Sequence, residues 1–220
     1  MRPLTPDFYL RPTLAVLEDL IGKVLVHGQG RRRTAGVIVE AEAYIGESDP
    51  ACHAAPGPTP RNAPLYGPPG RAYVYLNYGI HYLVNAVTEE EGHPAAVLIR
   101  ALEPLEGLPL MRRRRTRGRA RARPASRGAC LEDANAATAG LCRGPGNLSL
   151  ALGISLAQNR ADLARSPLRL EDHGIRADRL VWSPRVGIRV GTDRDWRCHW
   201  HGHPCVSGPP STASQARSRI

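Results

Sequence analysis

The residue types that can do chemistry crowd into residues 37–85, VIVEAEAYIGESDPACHAAPGPTPRNAPLYGPPGRAYVYLNYGIHYLVN. Glu40 and Glu42 interrupt an apolar run bounded by Gly36 and Gly46. On an extended strand Ile38, Glu40, Glu42 and Tyr44 share one face, and Val37, Val39, Ala41 and Ala43 the other. Carboxylates are depleted in strands and costly to bury, so the acidic face is expected to open on a cleft. The next loop carries Cys52, His53, Arg61 and Asn62, and four tyrosines follow at 73, 75, 78 and 82. Carboxylates beside stacked aromatics suit a flat, ring-shaped substrate.

Two carboxylates could also divide acid and base work on a sugar. Glu40 and Glu42, however, are two residues apart on one strand, ~7 Å at ~3.3 Å per residue, hence side by side. One catalytic carboxylate with an Arg-paired neighbour fits better, and Arg100, alone in the apolar run AAVLIRAL, is the expected partner. Tyr73 is expected in the core. The other phenols, with His53 and Asn85, suit a pocket that stacks a nucleobase and reads its edge, and Tyr78 before Gly79 suits a hairpin tip that wedges between base pairs.

The elements that must position these groups follow from periodicity. Thr13 is expected to cap a helix buried through Leu14, Leu17, Leu20 and Ile21 and stopped at Gly22. KVLVHG turns at Gly28–Gly30 into the strand bearing the acids. Residues 47–71, rich in proline and without periodicity, read as an ordered functional loop. Residues 72–78 and 80–87 alternate as a hairpin, and 95–102 is a further strand. Residues 131–140 and NLSLALGI are helix-compatible, the latter fed by the turn CRGPG (142–146), whose free N–H groups can meet a phosphate. RVGIRV (185–190) and 198–206 read as closing strands, and 207–220 as a disordered tail. CHWHGHPC (198–205) matches no common zinc spacing, so a surface strand without metal is expected there.

At 220 residues the chain has room for one core, read as a single domain over 1–206. No apolar run approaches a membrane span and no signal-peptide core opens the chain, so a soluble, non-secreted protein is expected. The five cysteines suggest a reducing compartment rather than a disulfide framework. Of a formal net charge of +10, nine charges come from the arginines of 111–127, a stretch without acids. That block reads as a solvated loop or as an arm for nucleic-acid phosphates.

VEAEAYIGESDPACHA, TPRNAPLYGPPGRAYVYLNYGIHYLVN, AAVLIRALEPLEG, LCRGPGNL, ALGI and PRVGI, in this order and spacing, resemble the alkyladenine (3-methyladenine) DNA glycosylase family from about residue 14 to 206. The resemblance implies a mixed α/β domain with a curved, mainly antiparallel sheet and peripheral helices. It also implies a monomer without cofactor that flips damaged purines out of duplex DNA and hydrolyses the glycosidic bond. Location would be the cytoplasm or nucleoid in a bacterium and the nucleus in a eukaryote. By resemblance Glu42 activates water, held also by Arg100 and the carbonyl of Val186. Tyr44 and Tyr75 sandwich the base, the N–H of His53 reads its edge, and Asn85 excludes the amino group of guanine. Tyr78 fills the vacated stack and Arg143 meets the DNA backbone. The chain departs from the pattern with Asn147 where the family has Lys after GPG, Cys198 where an aromatic follows WR, and Pro109 ahead of the arginine run. The alternatives are a nucleic-acid-binding module without activity and, less favoured by the paired acids, a sugar hydrolase.

Overall fold

The computed structural model describes residues 1–122, 138–208 and 216–217. Its strands join in one curled antiparallel sheet with helices at the periphery, a mixed α/β fold. The central strand is β3 (Thr34–Ile45), whose small, β-branched and acidic residues are buried on both faces as far as Ala43. β6 (Ala95–Glu106) pairs with it along one edge, and β5 (His81–Val87) and β4 (Ala72–Asn77) continue outward as a hairpin. The opposite edge of β3 forks. Its first half pairs with β2 (Val24–His27), which leads to β7 (Leu168–Asp172) and β1 (Arg2–Pro3). Residues 40–42 pair instead with β9 (Arg197–Trp200), followed by β8 (Leu180–Ser183) and β10 (Ala216–Arg217).

Two short helices, α1 (Pro6–Tyr9) and α2 (Thr13–Leu20), open the chain. α2 buries Val16, Leu17 and Leu20, while Leu14 stays half-buried. The expected cap is displaced by one residue: Pro12 holds the N-cap position, and Thr13 is the first helical residue. The carboxylate of Glu89 does the capping, accepting the Thr13 N–H at 2.9 Å. Gly22 follows at φ +92°, where a Cβ would stand 2.7 Å from the carbonyl oxygen of Ile175.

The arginine block departs most from expectation. Rather than a loop, Leu108–Ala122 form a helix, α3; residues 123–127 lie outside the described residues. Arg is a good helix former, and Pro109 falls in the first turn, where its missing N–H is harmless. Arg114, Arg115 and Gly118 face α4 (Pro145–Leu152), and Met111, one turn earlier on the helix, faces Cys142 ahead of it. Met111 is fully buried with its sulfur 3.9 Å from that of Cys142, Arg114 Nη1 donates to the Ala151 carbonyl at 3.0 Å, and a Cβ at Gly118 would collide with Leu150. Arg112, Arg113 and Arg117 point outward.

The ends of the chain also differ. Residues 185–190 are not a strand but a loop after β8, because Arg185 turns inward and Gly187 takes φ +80°. The strand expected over 198–206 ends at Trp200, and it is interior rather than superficial: β9 lies between β3 and β8, with Cys198 and His199 buried. Ser207, where the tail was expected to begin, is buried; 209–215 and 218–220 lie outside the described residues, as does the helix expected at 131–140 through residue 137. Among the described residues no helix is long and apolar enough to cross a membrane.

Candidate active site

β3 does not pair evenly with β6. The register shifts on either side of Glu40, leaving Val39 and Arg100 without opposite numbers. Such compensating irregularities re-aim side chains. Here they bring Arg100 between the two acids: its Nε donates to Glu40 Oε1 at 3.0 Å and its Nη1 to Glu42 Oε2 at 3.1 Å. The acids were expected to face a cleft, yet both have no exposed surface. They are buried because donors surround them. Glu40 also accepts from Arg197 Nε at 2.7 Å and from the Ser207 N–H at 2.6 Å. Glu42 accepts the Val186 N–H at 2.7 Å and the Tyr44 hydroxyl at 2.9 Å.

These environments separate the two carboxyls. Burial would raise Glu40, but Arg100, Arg197 and the Ser207 N–H outweigh it and hold this carboxyl below the usual range. For Glu42 burial prevails over Arg100, the Val186 N–H and Tyr44, and it lies above that range. Glu40 is therefore a fixed anion, and Glu42 the better proton acceptor.

Tyr44, Arg100 and Val186, which cover Glu42, line a cleft of about 350 Å³ together with His53, Tyr75 and Asn85. Its aromatic wall is ordered by contacts across the β4–β5 hairpin and the loop before it. The rings of Tyr73 and Tyr75 stack with centroids 5.3 Å apart, and the His53 ring meets Tyr75 edge-on at 4.5 Å. His53 Nδ1 lies 2.8 Å from the Tyr73 hydroxyl, and burial, then Arg61, lowers the pKa of this imidazole. Buried Tyr73 has its phenol pushed up to about 12, chiefly by burial. Asn85 Nδ2 donates to the Tyr73 carbonyl opposite it at 3.0 Å. A larger cleft of about 460 Å³, among Thr5, Arg11, Asp19 and Lys23, contains none of these groups. Lys23 is the one lysine of the chain, and its Nζ lies 2.5 Å from Asp172.

The rim of the aromatic cleft includes Tyr78 and Pro145. Tyr78 stands at the hairpin tip, 89% exposed beside exposed Ile80, with φ +48°. A positive φ is costly for a tyrosine and is held here by the turn in which Ile80 N–H donates to Asn77 O at 3.0 Å. Just behind the hairpin tip, His81 packs so closely on Gly146 that a Cβ there would stand 2.7 Å from its ring. The hairpin and the first turn of α4 are thereby tied together. Arg143 precedes that turn, exposed, with Nε on the Val206 carbonyl at 2.8 Å. Asn147 does not reach outward freely: its Nδ2 donates to the Arg143 carbonyl at 2.7 Å and its Oδ1 accepts from Arg115. His199, His201 and His203 do not converge, since the strand turns after Trp200; among the described residues no group of three metal-ligand side chains forms.

Three contributors escaped the reading of the sequence: Arg197 and Ser207 on Glu40, and Arg185, which grips Asp49 with both ends of its guanidinium and holds the loop that brings Val186 to Glu42. The available signal was Arg185 and Arg197, arginines at the edges of apolar segments; Ser207 offered none.

The profile of the methylpurine-DNA glycosylase (MPG) family matches residues 7–204. A protein of Methanocella arvoryzae is 44% identical over 209 residues, covering 93% of this chain and 96% of its own. One of Rhodopseudomonas palustris is 45% identical over 208 residues, covering 94% and 91%, and one of Prosthecochloris aestuarii 41% identical over 216, covering 97% and 95%. All three carry the provisional name 3-methyladenine DNA glycosylase.

Proposed function

The chain belongs to the methylpurine-DNA glycosylase family, and from that premise we propose that it excises alkylated or deaminated purines from duplex DNA by hydrolysis. The observation that carries the reading is Glu42: a buried carboxylate, raised in proton affinity, directly behind a cleft walled by tyrosines. A nucleotide swung out of the helix would place its base against Tyr44 and Tyr75, with His53 and Asn85 at its edge. Glu42 takes a proton from water as the water oxygen bonds to C1′ and the base departs with the electrons of the glycosidic bond. Arg100 and Val186, both on Glu42 and both lining the cleft, would hold the water. Base release after this step leaves an abasic site.

Cleavage of the DNA backbone through a Schiff base needs an amine at the site. Lys23 lines the other cleft, bonded to Asp172, which supports hydrolysis alone. Single-turnover assays on duplexes carrying one 3-methyladenine, 7-methylguanine, hypoxanthine or ethenoadenine should give free base and an intact abasic strand. Release from none of them would return the chain to the binding-module reading, and a borohydride-trapped protein–DNA adduct would overturn hydrolysis alone.

Tyr78 is proposed to occupy the stack left by the flipped nucleotide, since the hairpin tip projects it beyond the cleft wall. Tyr78→Ala should weaken excision from duplex while the order of preference among lesions is kept. A changed order with normal duplex excision would place Tyr78 in base recognition instead.

Among the described side chains of α3, Arg112 bonds Thr138, Arg114 the Ala151 carbonyl and Arg115 Asn147, while Arg113 and Arg117 lie one turn apart on the outer surface. These two are proposed to meet DNA phosphates. Changing both to Gln should flatten the slope of log affinity against log salt by up to ~0.9 per lost contact, without altering lesion preference. Deleting the helix is a poorer experiment, because Met111 is part of the core. An unchanged slope would make the outer face of α3 a solvated surface.

A further inference from the structure

All three nitrogens of the Arg100 guanidinium are engaged: Nε on Glu40 at 3.0 Å, Nη1 on Glu42 at 3.1 Å, and Nη2 on the Ser207 hydroxyl at 3.4 Å. A guanidinium facing a buried carboxylate commonly pairs through two parallel N–H bonds. Only one reaches Glu42, because the other donors are drawn elsewhere. Glu40 cannot follow Arg100 if it shifts, being fixed by Arg197 Nε at 2.7 Å and the Ser207 N–H at 2.6 Å. Arg197 is fixed in turn by the Ser207 carbonyl at 2.9 Å and the Ser183 hydroxyl at 3.0 Å. Ser207 therefore touches Arg100 with its hydroxyl, Glu40 with its N–H and Arg197 with its carbonyl.

We propose that Ser207 and Glu40 are positioning residues for hydrolysis, restricting Arg100 to a single contact with Glu42 so that this carboxylate stays basic enough to deprotonate water. The inference rests on Glu42 being the base. An Arg100 released from Glu40 or Ser207 would turn a second N–H toward Glu42, and closer opposite charge lowers a carboxyl's affinity for protons. The other groups facing Glu42 are Glu40 and Tyr44 on its own strand, Arg197 opposite it on β9, Tyr75 on β4, and Arg185 with the Val186 N–H from the loop after β8. Among the described residues Arg100 is the one cation hydrogen-bonded to Glu42, so its orientation decides the balance.

Ser207→Ala tests this cleanly, because it removes one hydroxyl and keeps every charge and both backbone contacts. The readout is the titration of the Glu42 carboxyl by carbon-13 NMR in the full chain, assigned as the resonance missing from Glu42→Gln. The midpoint should fall in Ser207→Ala and stay at the wild-type value in Ser207→Thr, which restores the hydroxyl. In Glu40→Gln it should fall further, because a negative charge that raises the Glu42 carboxyl is lost as well as the hold on Arg100. The acid limb of single-turnover base release should move to lower pH in step, with a lower maximal rate and unchanged binding of the lesion duplex. An unmoved midpoint in Ser207→Ala overturns the proposal, as does an equal fall in Ser207→Thr, which would mark packing rather than the hydroxyl. The titration needs no turnover, so a wild type that releases no base fails the reading of Glu42 as base and is told apart from failure here.

Discussion

Glu42→Gln is expected to remove almost all release of neutral purines such as hypoxanthine while binding of the lesion duplex survives. The amide keeps the shape of the carboxyl but cannot accept the proton of water, and a positioned general base contributes ~10²–10⁴ in rate. Purines that are already cationic, such as 3-methyladenine, leave more easily and should retain more of their rate. The fold should tolerate the change. Burial raises the proton affinity of Glu42 in the folded chain, so its ionised form is a burden on folding that grows as pH rises through its folded midpoint. Glu40 has the opposite sign: its carboxyl is lowered, so its contribution to stability is present above the ordinary carboxylate range and lost as pH falls through its folded midpoint. Because burial raises Glu42, the acid limb of wild-type activity should lie above the ordinary glutamate range. Single-turnover hypoxanthine release, measured beside duplex binding, decides the matter; full activity in Glu42→Gln would remove the mechanism.

The largest loss of stability is expected from Arg185→Ala. Its guanidinium meets Asp49 at 2.5 and 2.8 Å, with both side chains wholly buried, and also reaches the carbonyls of Ala43 at 3.1 Å and Gly191 at 3.2 Å. It lies over the rings of Tyr44, at 4.7 Å, and Trp196, at 5.2 Å. Truncation leaves the carboxylate of Asp49 inside the protein with Arg194, 3.6 Å away, as its remaining cation among the described residues, beside the N–H groups of Ala51 at 3.2 Å and Ile45 at 3.4 Å. Breaking one side of a buried pair costs about 3–5 kcal/mol, and denaturant unfolding should show a loss of that order. Asp49→Asn in the same chain should recover part of it by removing the stranded charge. Activity should fall as well, because Arg185 precedes the residue whose N–H holds Glu42. A loss under about 1 kcal/mol would mean that Asp49 is solvated after truncation.

The parts of this arrangement that depend on near neighbours were legible in the chain. Alternation located β3 and the hairpin, and a lone arginine in an apolar strand pointed to an acid partner, found in both Glu40 and Glu42. What depended on distant partners was not. Asp49 and Arg185 lie 136 residues apart, and Ser207 reaches Glu40 across 167. Nothing local distinguishes such residues from exposed ones. RVGIRV alternates as a strand does, but the demand of Asp49 for a cation pulls Arg185 inward and breaks the extended run. The charge of the arginine block points to a solvated loop, whereas its helix is set by the side buried against the core, Met111 on Cys142 and Gly118 on Leu150.

Glu40, Ala41 and Glu42 are bonded to neighbouring strands on both sides, β6 on one edge and β9 on the other. Amides flanked in this way open to solvent only when a large part of the sheet comes apart. The carboxylates therefore ride on a slowly exchanging interior strand rather than on a loop. Heat should expose Glu40 and Glu42 to solvent only when the whole sheet melts.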